Sequence, residues 1–334
     1  MNIHSMIDDR FSGAVSITQA DKTIFQEAFG YADLSNRLSN RVDTRFPTAS
    51  AGKGFVAVGI LQLIEHGGLF LDSRIGDILR FDLKEIDPHI TIRQLLTHMS
   101  GIPDYFDEST MTDYGELWNE FPNYRVRTSM DLLPLFIDKP MAYPAGARFR
   151  YNNAGFVVLG LVIESITGQK FDAYLHDHVF APTGMNDTGY FELDRVPERC
   201  ANAYVYDESR KEYYTNIYSV DAKGTGAGGA FTTILDMEHF WRSLLGGGLL
   251  SEAMTLEMTS PQIPEDCFEE GSYGYGIWID REDGRSSVLY LEGCDPGVSF
   301  RSSFDKERDL LITLVSNFGS DVWKLHEKIK AAFK

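Results

Sequence analysis

The sequence predicts an α+β fold, with one antiparallel sheet formed by both ends of the chain, flanked by helices, and a mostly helical subdomain inserted between them. Three observations carry this. Strand-like alternation falls mainly in the first 31 residues and after residue 273, with short runs at 44–48 and within 190–218. Residues 78–195 read as helices and polar loops with few strand signals. The last residues form an amphipathic helical pattern. Strands at both ends with helices between them make a sheet completed by both termini. The expected division is 1–77 with 196–334 as the sheet domain and 78–195 as the helical subdomain, with a site between them.

Residues 11–18 (Phe-Ser-Gly-Ala-Val-Ser-Ile-Thr) predict a strand, and 22–31 its antiparallel partner after a turn at 19–21. A short strand-like run at 44–48 precedes a helix over 51–66, ended by Gly67-Gly68. That helix is apolar on nearly every side, the mark of a helix buried all round. Residues 71–79 and 91–98 read as helices, the second capped by Thr91 and broken by Ser100-Gly101-Ile102-Pro103. Residues 111–127 are aromatic and loop-like, either a lid or a packed surface loop. Helices follow at 154–167, stopped by Gly168, and at 171–180. Residues 190–218 predict loops and short strands. A glycine cluster at 224–229 matches no phosphate-loop pattern and reads as flexible backbone near a site. A helix over 233–245 precedes four strands at 273–280, 286–292, 298–304 and 309–316, with turns at 282–284 and 305–307. Residues 321–333 close the chain, with Val322, Trp323, Leu325, Ile329 and Phe333 on one face.

The 334 residues are 43% hydrophobic, enough for a large core. With 49 acidic and 31 basic residues the formal charge is −18. This disfavours a nucleic-acid or anionic-membrane partner, because phosphate binding needs a basic surface. No apolar run reaches transmembrane length. The first ten residues have neither a basic nor an apolar leader region, so the expected location is cytoplasmic. Cys200, Cys267 and Cys294 are widely spaced and suggest neither a disulfide framework nor a metal site. His66, His98, His176 and His178 are scattered, and the last two do not share a helix face. No metal or cofactor is expected, and the expected partner is a small-molecule or short peptide substrate.

The chemistry is concentrated where the buried helix begins. Ser50 is placed to cap it, its hydroxyl accepting the Lys53 amide. Lys53 lies three residues on, in the first turn and on the same face. A lysine there is costly unless it is paired or working. Burial lowers its pKa, and a neutral amine beside a serine hydroxyl is a base beside a nucleophile. Ser-x-x-Lys alone is common, and a plain helix cap is the simpler reading of it.

Three further stretches stand beside this pair: Tyr151-Asn152-Asn153 before an apolar helix, residues 93–101 (Arg-Gln-Leu-Leu-Thr-His-Met-Ser-Gly), and 228–233 followed by Asp236. Together with Ser50 and Lys53 they resemble the penicillin-binding-protein-like serine hydrolases, in particular the class C β-lactamase, esterase and D-aminopeptidase group. The resemblance implies that Ser50 is the acylated nucleophile, that Lys53 shares or takes its proton, and that Tyr151 is a second base whose pKa nearby ammonium lowers. Whether Lys53 or Tyr151 is the acylation base stays open. Asn153 is implied to bond Lys53 and the substrate amide. The family's third motif, Lys-Thr-Gly or His-x-Gly, falls on Leu291-Glu292-Gly293, anchored by Pro296-Gly297. Gly293 is kept, and the amide of Cys294 is implied as the second oxyanion donor beside that of Ser50.

The motif's cation is missing: Leu291 stands in its place, and Glu292 adds a negative group. Losing a charged hydrogen bond to a substrate carboxylate costs about 1–3 kcal/mol. The expectation is a serine hydrolase of esters, amides or D-amino-acid peptides that is weak on β-lactams. Lys223 or Arg301 is a replacement cation or, more simply, solvated surface charge. The alternative from another class is a catalytically silent relative that binds a peptide or wall fragment.

Overall fold

The computed structural model describes residues 2–20, 22–263, 267, 271–282 and 286–333. Asp21 and the expected turn at 282–284 fall partly or wholly outside them. Seven strands form the central sheet: β1 (Gly13–Gln19), β2 (Lys22–Phe29), β3 (Ser272–Tyr273), β4 (Trp278–Glu282), β5 (Ser286–Asp295), β6 (Val298–Asp305) and β7 (Leu310–Ser316). Their order is β2-β1-β7-β6-β5-β4-β3, and every neighbouring pair is antiparallel. β1 lies directly on β7, with Gly13 opposite Ser316 and Gln19 opposite Leu310. The sheet is therefore made by both ends of the chain, as the sequence predicts.

The period of two along β7 serves two cores. Leu310, Ile312 and Leu314 join Val15 and Ile17 against α8 (Val322–Ala331). Leu311 and Val315 face the other way, into a core shared with α1 (Lys53–Glu65). Around them stand α2 (Ile75–Ile78), α3 (Ile92–Leu96), α4 (Asn153–Thr167), α5 (Phe171–Leu175), α6 (Ile234–Leu245) and α7 (Glu252–Met258). Lys53 to Leu63 are all buried, which accounts for the all-round apolar pattern of α1. One core cluster runs from Ala14 through α1, α4 and α6 to Val315, so the helical region and the sheet share an interior.

Three elements differ from the sequence reading. The strand expected at 273–280 is two strands, because Gly276 turns the chain at φ +70 and Gly274 donates to the carbonyl of Ile277 (2.9 Å). The helix expected at 71–79 is reduced to α2, since the amides of Ile75 and Gly76 donate to Ile90 and Pro88 instead. The helix at 171–180 widens into a π-type turn at His176–Phe180. Thr91 caps α3 as expected, in a reciprocal box with Gln94. Among the described residues no single helix is long and apolar enough to cross a membrane.

Candidate active site

Ser50 sits in a tight turn, Ala49–Gly52, between a two-residue strand (Phe46–Pro47) and α1. Its hydroxyl does not cap the helix; it accepts instead from Lys53 Nζ at 2.9 Å. Ala49 just before it has φ +47, a conformation that costs a non-glycine residue about 1–3 kcal/mol and persists only when the surroundings enforce it. The surroundings here are backbone: Thr48 donates to Ala230 (2.8 Å), and Gly229 donates to Ala49 (3.0 Å). A Cβ on Gly228 would stand 2.5 Å from the Ala49 carbonyl oxygen, and one on Gly293 would stand 2.5 Å from the Ser50 amide nitrogen. The glycine cluster and β5 thus clamp the serine turn from both sides, so the cluster, expected to be flexible, is closely packed backbone.

Lys53 is 2% exposed, and all three of its protons are used: on Ser50 Oγ (2.9 Å), Asn153 Oδ1 (2.8 Å) and the Ala227 carbonyl (2.5 Å). Burial lowers its pKa to about 8, against the pull of Glu108, Asp104 and Asp295. Tyr151 lines the same cleft as Ser50, whose hydroxyl acts to lower the phenol's pKa. Lys53 Nζ lies 4.9 Å from the centre of its ring. Yet its pKa is not lowered: burial, then Glu108 and Tyr273, hold the phenol well above its ordinary value. The desolvation of a buried phenolate outweighs the nearby ammonium.

Asn153 opens α4. Its Nδ2 donates to Phe106 O (3.2 Å) and Asp104 Oδ2 (3.3 Å), so both amide protons are already committed within the protein. Asp104 is the residue sequence reasoning missed. It accepts from the amides of Asn153 (2.8 Å) and Ala154 (3.0 Å), capping α4 from outside its own segment, and burial raises it to about 6. A lone acid after Ser100-Gly101-Ile102-Pro103 gives no sequence signal of that role.

A cleft of about 870 Å³ opens in front of Ser50, Tyr151 and Asn153. Glu292, Gly293 and Cys294 line it; Leu291 does not. Leu291 is 2% exposed and packs on Gly54 of α1, whose added Cβ would lie 2.6 Å from the leucine Cδ2. The expectation that Leu291 faces a substrate is therefore corrected: side chains alternate along β5, and this one faces the core. Glu292 accepts from Arg301 Nη1 (2.9 Å) and Trp323 Nε1 (2.8 Å). Arg301 is buried, pairs with Asp280 as well, and lies 4.0 Å over the Tyr290 ring. Lys223 pairs with Asp172 at 2.5 Å. Neither is solvated surface charge and neither lines the cleft.

The aromatic stretch forms a wall. Met111, Thr112, Asp113 and Tyr114 line the cleft, and Tyr114 Oη donates to Asp221 (3.1 Å). Glu108, Asp113, Asp221, Glu292 and Asp295 all face the cavity, and among the described residues no Lys, Arg or His lines it. Burial raises Asp221 to about 7; burial and repulsion from Asp221 bring Asp295 to about 7 as well. Among the described residues no group of His, Cys, Asp and Glu is arranged to hold a metal.

The sequence model of the family described as Beta-lactamase matches residues 3–332. The chain belongs to the beta-lactamase family. It is 26% identical to Penicillin-binding protein 4* of Bacillus subtilis over 305 residues, 87% of this chain and 64% of that protein. It is 32% identical to Esterase EstB of Burkholderia gladioli over 208 residues, 58% of this chain and 50% of the esterase. The chain thus spans about half to two thirds of these relatives' lengths. The solved penicillin-binding protein of Bacillus halodurans superposes with TM-score 0.94 at 38% identity, covering 99% of this chain and 100% of that one. The D-amino acid amidase of Ochrobactrum anthropi shares the fold at TM-score 0.75 and 23% identity, over 99% of both chains. Against the family's third motif, as the sequence resemblance gives it, this member keeps the glycine, and among the described residues no cation lines the cleft wall.

Proposed function

We propose that the protein is a serine hydrolase that works through an acyl-enzyme on Ser50. The observation that carries this reading is the contact of Lys53 Nζ with Ser50 Oγ at 2.9 Å, made by an amine whose pKa burial lowers to about 8. In its neutral form Lys53 accepts the serine proton as Oγ attacks the substrate carbonyl. The amides of Ser50 and Cys294 receive the developing oxyanion, with Gly293 allowing the close approach. The proton then passes to the leaving group from Lys53 or through Tyr151. Tyr151 keeps its proton at neutral pH, so it serves as donor and relay, and Lys53 is the acylation base. Water admitted by the cleft hydrolyses the acyl-enzyme by the reverse proton path.

The substrate class follows from the walls. A substrate carboxylate would meet a wall with five acidic side chains and, among the described residues, no Lys, Arg or His lining it, so β-lactams and peptides ending in a free carboxylate are poor substrates. Esters, amides and D-amino-acid derivatives with a neutral or amine-bearing acyl part fit better. The test is intact mass after incubation with a penicillin, an activated ester and a fluorophosphonate. The ester and the fluorophosphonate are expected to add one acyl or phosphonyl group that Ser50→Ala abolishes. A folded protein that forms no adduct with any of the three refutes the reading and leaves a peptide-binding relative.

A further inference from the structure

Motif 93–101 places one side chain directly behind the serine cluster, and no step above uses it. His98 is 1% exposed and has φ +55, a left-handed conformation uncommon outside glycine. Two hydrogen bonds to it bracket Tyr151. The amide of Arg150 donates to the His98 carbonyl (3.0 Å), and the amide of Asn152 donates to His98 Nδ1 (3.1 Å). Its ring lies 4.5 Å from the Tyr151 ring and 5.0 Å from Phe156. Trp278 also stacks on Tyr151, at 6.1 Å with the planes 14° apart.

The bond to Nδ1 also settles the tautomer. A nitrogen that accepts a backbone N–H carries no proton, so Nε2 carries it and donates to the Tyr273 hydroxyl at 3.0 Å. Burial and the Lys53 charge hold the imidazole well below the usual histidine range, so it stays neutral and exchanges no proton with substrate. An ordinary core histidine needs only a partner for each nitrogen. This one takes its partner from the residue between Tyr151 and Asn153.

We propose that His98 is a positioning residue for hydrolysis, fixing Tyr151 and Asn153 against Ser50 and Lys53 through its Nδ1 bond to the Asn152 amide. The inference rests on the reading of Ser50 as the nucleophile. Displacing reacting groups by about 1 Å costs on the order of 10²-fold in rate, so loss of this bond is read in turnover.

Three variants separate the bond from the packing. His98→Phe keeps an aromatic ring and removes the acceptor. His98→Asn keeps an acceptor near the Nδ1 position and tolerates the left-handed backbone. His98→Gln reaches toward Tyr273 and leaves the Asn152 amide unpaired. Each is measured for thermal midpoint, for kcat and KM on a neutral p-nitrophenyl ester, and for the rate of fluorophosphonate labelling. His98→Phe and His98→Gln are expected to lose roughly 30- to 100-fold in kcat and labelling rate with KM nearly unchanged, in line with such a displacement. His98→Asn is expected to recover at least about tenfold of that loss.

A lower thermal midpoint with unchanged kcat in His98→Phe, or His98→Asn no better than His98→Gln, overturns the proposal. Should His98→Phe fail to fold, the contrast between His98→Asn and His98→Gln decides alone. Should the unaltered protein form no Ser50 adduct, the hydrolase reading fails by itself. Crystal structures of His98→Asn and His98→Gln then decide the positioning claim. Tyr151 and Asn153 displaced from Ser50 and Lys53 only in His98→Gln support it, and unmoved side chains in both overturn it.

Discussion

An ammonium buried beside a serine hydroxyl relieves its desolvation either by gathering acceptors or by losing its proton. Lys53 does the first in the resting protein, with three acceptors within 2.9 Å, and a pKa of about 8 keeps the second within reach. This gives acylation a pH dependence of definite sign. Only the neutral amine takes the serine proton, so kcat/KM for a neutral ester is expected to rise about tenfold per pH unit below about 8 and to level above it. The Asp104 carboxylate raises the lysine pKa, so Asp104→Asn is expected to move that limb to lower pH. A stopped-flow pH series on the two proteins checks both; a limb that stays put in Asp104→Asn contradicts the assignment. Residue-level reading singled out Ser50, Lys53, Tyr151 and Asn153, which the fold brings together, because their spacing ahead of two apolar helices is local information. It missed Asp104 and misjudged the Tyr151 pKa, because a cap supplied from another segment and a desolvation cost both arise only on folding.

Helix α1 and strand β5 meet where Gly54 leaves a notch that Leu291 fills. The sequence shows a leucine where a cation is expected, but not which face of the strand it takes. The packing shows that restoring Lys at this position puts a charge into the core rather than into the cleft. Leu291→Lys is therefore expected to lower stability by about 3 kcal/mol or more, with no gain in penicillin turnover. Urea unfolding and a penicillin hydrolysis assay measure the two halves, and a stable variant that hydrolyses penicillin contradicts the packing argument. Elements whose pattern is long were legible from sequence: β1, β7, α1, α4 and α8 lie where their periodicity puts them. Short elements were not. The break between β3 and β4 depends on one glycine at φ +70, and α2 loses its first turn to backbone bonds with Pro88 and Ile90.

Across the whole molecule the charge of −18 has a local expression, for the cleft itself is lined by carboxylates. Such a wall attracts cations and repels anions in a manner that salt screens. For a matched pair of esters, kcat/KM is expected to be at least about tenfold higher for the amine-bearing acyl group than for the carboxylate-bearing one, and the ratio to shrink as salt rises. Equal rates at low salt contradict the electrostatic reading. The seating of β1 between β2 and β7 has a consequence in time. A ribosome releases Ser50 and Lys53 well before it has made β5, whose Gly293 lies on the serine turn, or β7, which pairs with β1. Until then the N-terminal hairpin keeps an open edge, the kind of surface that aggregates. Partial translation products are thus sticky and lack half of the serine clamp; the clamp is completed only once β5 has left the exit tunnel, and the open edge is covered only once β7 has.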